Sequence, residues 1–154
     1  MASDTARDIM TADPVTVTPD MPVTDPAHLM VERHVGALPV LDVDGRLVGL
    51  VTEGDLIMRD AKMHFPTYLH LLGGFVFYPG STERFENDLR KAVGATVGDV
   101  MNAEPVTVSP DATVSDVATL LVEGDTSRLP VMDGERLVGI ISKSDVVRAI
   151  ASEQ

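Results

Sequence analysis

The stretch that decides the fold is Pro14-Val-Thr-Val-Thr-Pro-Asp20, because it returns later in the chain as Pro105-Val-Thr-Val-Ser-Pro-Asp111. The match extends at a constant offset over residues 14–42 and 105–133, where more than half of the positions are identical. Self-similarity at a fixed spacing is the signature of repeated structural units. Each copy is therefore expected to fold as the same supersecondary unit.

The match resumes after a one-residue deletion. Arg46-Leu-Val-Gly-Leu-Val-Thr-Glu-Gly-Asp55 is answered by Arg136-Leu-Val-Gly-Ile-Ile-Ser-Lys-Ser-Asp145. We therefore divide the chain into a first repeat at residues 8–59, an insertion at 60–98 and a second repeat at 99–150.

Both repeats show the same pattern of elements. Val15-Thr-Val17 and Val106-Thr-Val108 are β-branched alternations typical of short strands. A helix is predicted next, because apolar residues recur at helical spacing in the second copy, at Val114, Val117, Leu120 and Leu121.

A hairpin and a second helix complete each repeat. Two apolar runs, Leu38–Leu41 and Leu47–Val51, flank a turn at Asp44-Gly45, and the second repeat has the same arrangement around Asp133-Gly134. Thr52 and Ser142 fall where a strand runs into the last helix, a position at which a hydroxyl caps free backbone N–H groups. The predicted class is α/β (α+β), with β-α-β-β-α repeats.

The insertion has a different composition. All six aromatic residues of the chain lie between Phe65 and Phe85, around Gly73-Gly74, and residues 81–93 have the pattern of an amphipathic helix. We interpret the aromatic stretch as core packing or a dimer contact, with a partner-docking surface as the alternative.

Composition excludes several classes of protein. The 154 residues carry a formal net charge of −12, which opposes binding to nucleic acid. The absence of cysteine excludes disulfides and thiolate metal sites and fits a reducing compartment, so the expected location is the cytoplasm. The sequence shows no signal peptide and no apolar run of membrane-spanning length, so we expect no association with a membrane.

The ordered motifs of the two repeats resemble the CBS domain family. These motifs are Asp-Ile/Val-Met, Pro-Val-Thr-Val, Leu-Pro-Val and Gly-apolar-apolar-Thr/Ser-x-x-Asp, and they occur twice in the same order. Tandem copies resemble the CBS pair, or Bateman module. The resemblance implies two repeats packed about a pseudo-twofold axis, with clefts for AMP, ADP, ATP or S-adenosylmethionine.

The resemblance also implies two sites, each built from both repeats. An Asp at a helix start can accept both ribose hydroxyls, and the preceding hydroxyl and helix amides can face phosphate. The expected residues of site one are Thr52, Asp55, Met101, Val106, Ser127 and Arg128. Those of site two are Ser142, Asp145, Met10, Val15, Gly36 and Ala37.

Arg128 makes the two predicted sites unequal. It lies where the resemblance implies a phosphate-binding arginine, as in the gamma subunit of AMP-activated protein kinase, whereas the first repeat has Ala37 there. Site two would rely on Lys143 and helix amides. The alternative interpretations are that Asp55 and Asp145 only cap helices, that Arg128 is a solvated arginine, and that Met10 and Met101 only fill the core.

The remaining residues give little support to catalysis or metal binding. The four histidines have no ligand-like spacing, and no nucleophile motif is present. We therefore expect no enzyme activity, no metal and no catalytic cofactor. The predicted function is an adenine-nucleotide-binding regulatory module that senses energy state or a metabolite and acts on a separate effector protein. The alternative is a structural dimerisation or protein-interaction domain without a ligand. Under either interpretation we expect a homodimer.

Overall fold

The computed structural model describes residues 4–57 and 95–152. The predicted insertion, including its aromatic stretch and helix, lies almost entirely outside these residues. None of the helices in the described part of the chain is long and apolar enough to span a membrane.

The two predicted hairpins are confirmed. Strand β2 (Ala37–Leu41) pairs with β3 (Leu47–Thr52), and β4 (Arg128–Asp133) pairs antiparallel with β5 (Arg136–Ser142). The turns contain Gly45 and Gly134 at φ values of +81° and +65°, a region that favours glycine because a Cβ atom is crowded there.

Most of the helices begin at a Ser/Thr-x-x-Asp motif. Short helices α1 (Ala6–Ile9) and α3 (Val97–Val100) follow Thr5 and Thr96, and α4 (Val114–Glu123) follows Thr113. Helix α5 (Lys143–Ala151) follows Ser142, and residues 53–57 are helical after Thr52. The exception is α2 (Thr24–Arg33), whose N-cap is Val23.

The strands predicted at 15–17 and 106–108 are wrong in extent. In each segment only one residue, Val17 or Val108, makes a β-bridge. The Val108 amide donates to the Pro130 carbonyl at 3.0 Å, and its carbonyl accepts from the Met132 amide at 2.9 Å. The prolines on either side lack an N–H and interrupt a longer ladder. A two-residue strand that was not predicted, β1 (Thr11–Ala12), instead pairs with β5.

The described residues form two compact units, and neither coincides with one repeat. The first contains residues 4–16, 39–50 and 102–152, and the second contains 17–38, 51–57 and 95–101. Each unit therefore combines the N-terminal segment of one repeat with residues of the other.

The buried core of the first unit is built mainly from the second repeat, although the unit also contains residues 39–50 of the first repeat. Ala6 of α1, in the segment that leads into the first repeat, is 0% exposed in this core. Its amide donates to the Ala112 carbonyl at 2.8 Å, and the Arg7 amide donates to Pro110 at 3.0 Å. The other buried core residues are Val108, Val117, Leu121, Leu129, Val131, Ile141 and Val146.

The second unit repeats these contacts at equivalent positions. The Val97 amide donates to the Met21 carbonyl at 2.8 Å, and the Gly98 amide donates to Pro19 at 2.8 Å. Val97 is fully buried, as is its counterpart Ala6. The segments that lead into the two repeats are thus exchanged reciprocally.

Candidate functional site

The Ser142–Asp145 motif builds the start of α5. Oδ2 of Asp145 accepts hydrogen bonds from the Ser142 amide at 2.8 Å and from Ser142 Oγ at 3.0 Å. The Asp145 amide in turn donates to Ser142 Oγ at 3.3 Å. Oδ1 of Asp145 accepts from Nη2 of Arg148, one turn further along the helix. Both carboxylate oxygens are therefore engaged.

The Thr52–Asp55 motif has the same local geometry. Oδ2 of Asp55 accepts from the Thr52 amide at 2.9 Å and from Thr52 Oγ1 at 3.1 Å, and the Asp55 amide donates to Thr52 Oγ1 at 3.3 Å. For Oδ1 of Asp55, the residues that the structure describes provide no hydrogen-bond partner. The expected capping by Thr52 and Ser142 is confirmed.

Capping alone does not single out these two aspartates. Asp8, Asp99 and Asp116 follow a threonine at the same spacing and are exposed, whereas Asp55 is half-buried and Asp145 is 9% exposed. A buried carboxylate is costly unless it is hydrogen-bonded or paired. Burial, which sequence spacing does not give, distinguishes the predicted ribose acceptors from the other caps.

Arg128 lies in the same hairpin as Ser142. Arg128 at the start of β4 is the register partner of Ser142 at the end of β5, and the Lys143 amide donates to the Ser127 carbonyl at 3.3 Å. Nη1 of Arg128 donates to the Ser127 carbonyl at 3.1 Å. The structure thus brings two residues predicted for site one next to a residue predicted for site two.

The equivalent residues of the first repeat show the same proximity. The Glu53 amide donates to the Gly36 carbonyl at 3.0 Å, so Gly36 and the buried Ala37 lie beside the helix start at Thr52. Met101 belongs to the same unit as Thr52 and Asp55, whereas Val106, Ser127 and Arg128 belong to the first unit. The grouping of these residues into two sites stays a prediction.

Met10 is placed against the strand that leads to Ser142. A Cβ atom added to Gly139 of β5 would collide with Sδ of Met10 and would lie 3.0 Å from the Thr11 carbonyl oxygen. Met10 is half-buried and packs on the core of the first unit, to which Val15, also half-buried, belongs as well. The sequence signal for this contact is a glycine inside an apolar strand, which marks a close approach of another segment.

Arg148 was not among the predicted site residues. The sequence does indicate the pair, because a basic residue three positions after an aspartate on a helix lies on the same face as the aspartate. No cluster of three or more metal-ligating side chains is present within residues 4–57 and 95–152.

Comparison with known proteins identifies the family. The model of the CBS domain matches residues 6–62 and 97–152. The chain belongs to the CBS domain family, and its two matched segments form a CBS pair.

Individual relatives share most of the chain. The uncharacterized protein MJ1426 of Methanocaldococcus jannaschii is 32% identical over 151 residues, covering 94% of this chain and 89% of that protein. The chloroplastic CBS domain-containing protein CBSX2 of Arabidopsis thaliana is 36% identical over 143 residues, which cover 86% of this chain but only 57% of CBSX2.

Two solved structures extend the comparison. The crystal structure of CBSX2 in complex with AMP has a TM-score of 0.73 at 32% identity, covering 96% of each chain. The CBS pair of protein MJ0100 in complex with 5′-methylthioadenosine and S-adenosyl-L-methionine has a TM-score of 0.70, covering 98% of each chain. At 21% identity the second likeness concerns the fold alone.

Proposed function

We propose that this chain is an adenine-nucleotide-binding regulatory module that catalyses no reaction and transmits occupancy to a separate effector protein. The observation that carries the proposal is the likeness to CBSX2, which has been crystallised with AMP and aligns over 96% of both chains. The sensed signal would be energy state or a metabolite. Cytoplasmic localisation stays a prediction, since the CBSX2 relative is chloroplastic.

The chemistry of the helix starts supports this proposal. Asp55 and Asp145 are the least exposed of the capping aspartates and each sits beside a hydroxyl and helix amides. A carboxylate accepts ribose hydroxyls through charge-assisted hydrogen bonds, and the positive end of the helix dipole favours phosphate. The proposed ligands are AMP, ADP or ATP, with S-adenosylmethionine as a further candidate.

Isothermal titration calorimetry with AMP, ADP, ATP and S-adenosylmethionine tests the proposal. Asp55→Ala should weaken binding of AMP by about 1.5–3 kcal/mol, roughly ten- to hundredfold, because a charge-assisted pair of hydrogen bonds is lost. The matched control is Asp116→Ala, which removes a capping carboxylate from an exposed position. Wild-type protein that binds none of the four compounds would favour a structural dimerisation domain without a ligand.

We also propose that the chain forms a homodimer. Symmetric dimers are the commonest oligomers, and stand-alone CBS pairs are expected to associate in this way. Helices α4 and α5 of the first unit expose apolar residues, with Val122 81%, Val147 63% and Ile150 56% accessible. Light scattering at tens of micromolar protein should give twice the chain mass, and a monomeric mass would contradict the proposal.

A further inference from the structure

The two aspartates at the helix starts differ in how many of their acceptor positions are in use. A carboxylate offers two oxygens and about four lone-pair positions. At Asp145, Ser142 takes two of them on Oδ2, and Arg148 takes one on Oδ1. At Asp55, Thr52 takes the two on Oδ2, and no described residue donates to Oδ1.

The two repeats have different residues at the position that pairs with Asp145. The residue three positions after Asp145 is Arg148, whereas the residue three positions after Asp55 is Met58. A thioether carries no N–H and no charge, so it cannot form this ion pair in any conformation. The two repeats therefore differ in residue type at this one helical position.

The accessibility of the pair shows which partner can move. The Asp145 side chain is 10% exposed, whereas that of Arg148 is 72% exposed. The guanidinium therefore covers a buried carboxylate from the solvent side and retains the freedom to leave it. A ligand that needs both lone pairs of Oδ1 must displace the guanidinium first.

We propose that Arg148 is an internal competitor that occupies the ribose acceptor of the second repeat and lowers the affinity of that acceptor for ribose. This inference rests on the proposed nucleotide-binding function. The two hydroxyls of a ribose compete with Arg148 for Oδ1 of Asp145, whereas for Oδ1 of Asp55 residues 4–57 and 95–152 supply no competing cation.

The test measures adenosine binding by calorimetry in an Asp55→Ala background, which isolates the second-repeat site. Adding Arg148→Met, which copies Met58, should tighten adenosine binding about two- to fivefold, the range of an ion pair with one exposed partner. Arg148→Gln, which removes the charge and keeps a shorter, polar side chain, should tighten it to a smaller degree. The matched control is Arg46→Met, since Arg46 is 66% exposed and pairs with Glu135 at 3.9 Å, within the same unit.

Several outcomes overturn the inference. Unchanged adenosine affinity in both Arg148 variants shows that the guanidinium does not compete. Weaker AMP binding with unchanged adenosine binding assigns Arg148 to the phosphate instead. Absence of adenosine and AMP binding in the Asp55→Ala background, with binding retained in the wild type, shows that Asp145 holds no ribose.

The failure of the proposed function is a different result. Wild-type protein that binds neither adenosine nor any of the nucleotides refutes both the function and the competitor role. Thermal unfolding of each variant, compared with the Asp55→Ala parent, identifies any loss of affinity that comes from misfolding. A crystal structure of the Arg148→Met variant with adenosine should show the ribose hydroxyls on Oδ1 of Asp145.

Discussion

Arg128 is the residue that gives the nucleotide proposal a fixed positive charge. A guanidinium stays protonated at all physiological pH values and aligns with phosphate oxygens, whereas Ala37 offers nothing equivalent. The chain has a formal net charge of −12, so its overall field opposes an anionic ligand. A local cation is therefore needed more here than in a neutral protein.

Replacing Arg128 should separate phosphate recognition from adenosine recognition. We expect Arg128→Ala to weaken AMP binding at site one by about 1.5–3 kcal/mol and to leave adenosine binding nearly unchanged, because only the phosphate loses a charged donor. Calorimetry with both ligands measures the difference. Arg136→Ala, at the exposed start of β5 in the same hairpin, is the control.

The contrary result is equally clear. If Arg128→Ala leaves the affinity for AMP and the affinity for adenosine both unchanged, the guanidinium keeps its bond to the Ser127 carbonyl and does not reach phosphate. Site two should be unaffected in either case. An effect at site two would instead reflect the register pairing of Arg128 with Ser142.

At the scale of single residues, sequence identified the caps but not their environments. The Ser/Thr-x-x-Asp spacing is sufficient to predict hydrogen bonds within one helical turn. It carries no information about what packs over the carboxylate, and so it could not separate Asp145 from the exposed Asp116. The ion pair with Arg148 was accessible to sequence analysis through its helical spacing, but its significance depends on that burial.

At the scale of elements, the caps determine where helices begin. Thr113 Oγ1 accepts from the Asp116 amide at 3.1 Å, and Asp116 Oδ2 accepts from the Thr113 amide at 3.3 Å. Thr113→Ala should lower the free energy of unfolding by about 0.5–2 kcal/mol, measured by urea denaturation.

The control for this prediction lies in the same helix. Thr119 of α4 is exposed, and its hydroxyl donates only to the Ser115 carbonyl within the helix. Thr119→Ala should change stability by less than about 0.5 kcal/mol, because alanine has the higher helix propensity. Equal losses from the two substitutions would contradict a specific capping role for Thr113.

Gly139 shows how an element is adapted to its neighbour. A Cβ atom there would collide with Met10, so Gly139→Ala should destabilise the protein by about 1–3 kcal/mol through overpacking. Gly54→Ala is the control, because among the described residues the added Cβ would meet Thr52 Oγ1 alone, at 3.6 Å. Urea denaturation should be measured for Gly139→Ala, for Met10→Ala and for the double variant. The double variant should lose less free energy of unfolding than the sum of the losses in the two single variants, because the smaller side chain at position 10 relieves the collision.

Sequence predicted some helices and strands better than others, because some depend on local residues and others on pairing with distant ones. The hairpins and α4 depend on local turns and on apolar periodicity, and both lie within a short stretch of sequence. The strands at 15–17 and 106–108 were predicted too long. The prediction relied on the alternation of Val and Thr and did not take into account that the flanking prolines lack the N–H that a longer ladder needs. Strand β1 was missed, because two exposed residues form a strand only through pairing with distant β5.

At the scale of the whole molecule, the sequence repeat and the compact unit are different divisions of the chain. The repeat is defined by identity along the sequence, whereas the unit is defined by contacts. The bonds of Ala6 with Ala112 and of Val97 with Met21 show that the segment leading into each repeat packs on the other repeat. Neither repeat contains all the residues of the core to which it contributes most.

A polar substitution at Ala6 tests whether the chain unfolds cooperatively by compact unit or by sequence repeat. Ala6 lies in the first segment that matches the CBS domain, residues 6–62, but it is fully buried in a core made mainly by the second. Ala6→Ser should lower the free energy of unfolding by about 1–3 kcal/mol, because a hydroxyl is buried in apolar surroundings. Ala103→Ser, at an exposed position, provides the control and should have little effect.

Hydrogen exchange can locate this destabilisation within the chain. Local opening occurs in cooperative units that follow contacts, so exchange should accelerate at the amides of Val108, Val117 and Met132 in the second repeat. The amides of Val23 and Val97, in the other compact unit, should respond less, although Val23 lies in the same matched segment, residues 6–62, as Ala6. Acceleration confined to residues 4–57 would show instead that the cooperative unit is the sequence repeat. The exchanged segments would then contribute nothing to the stability of the core on which they pack.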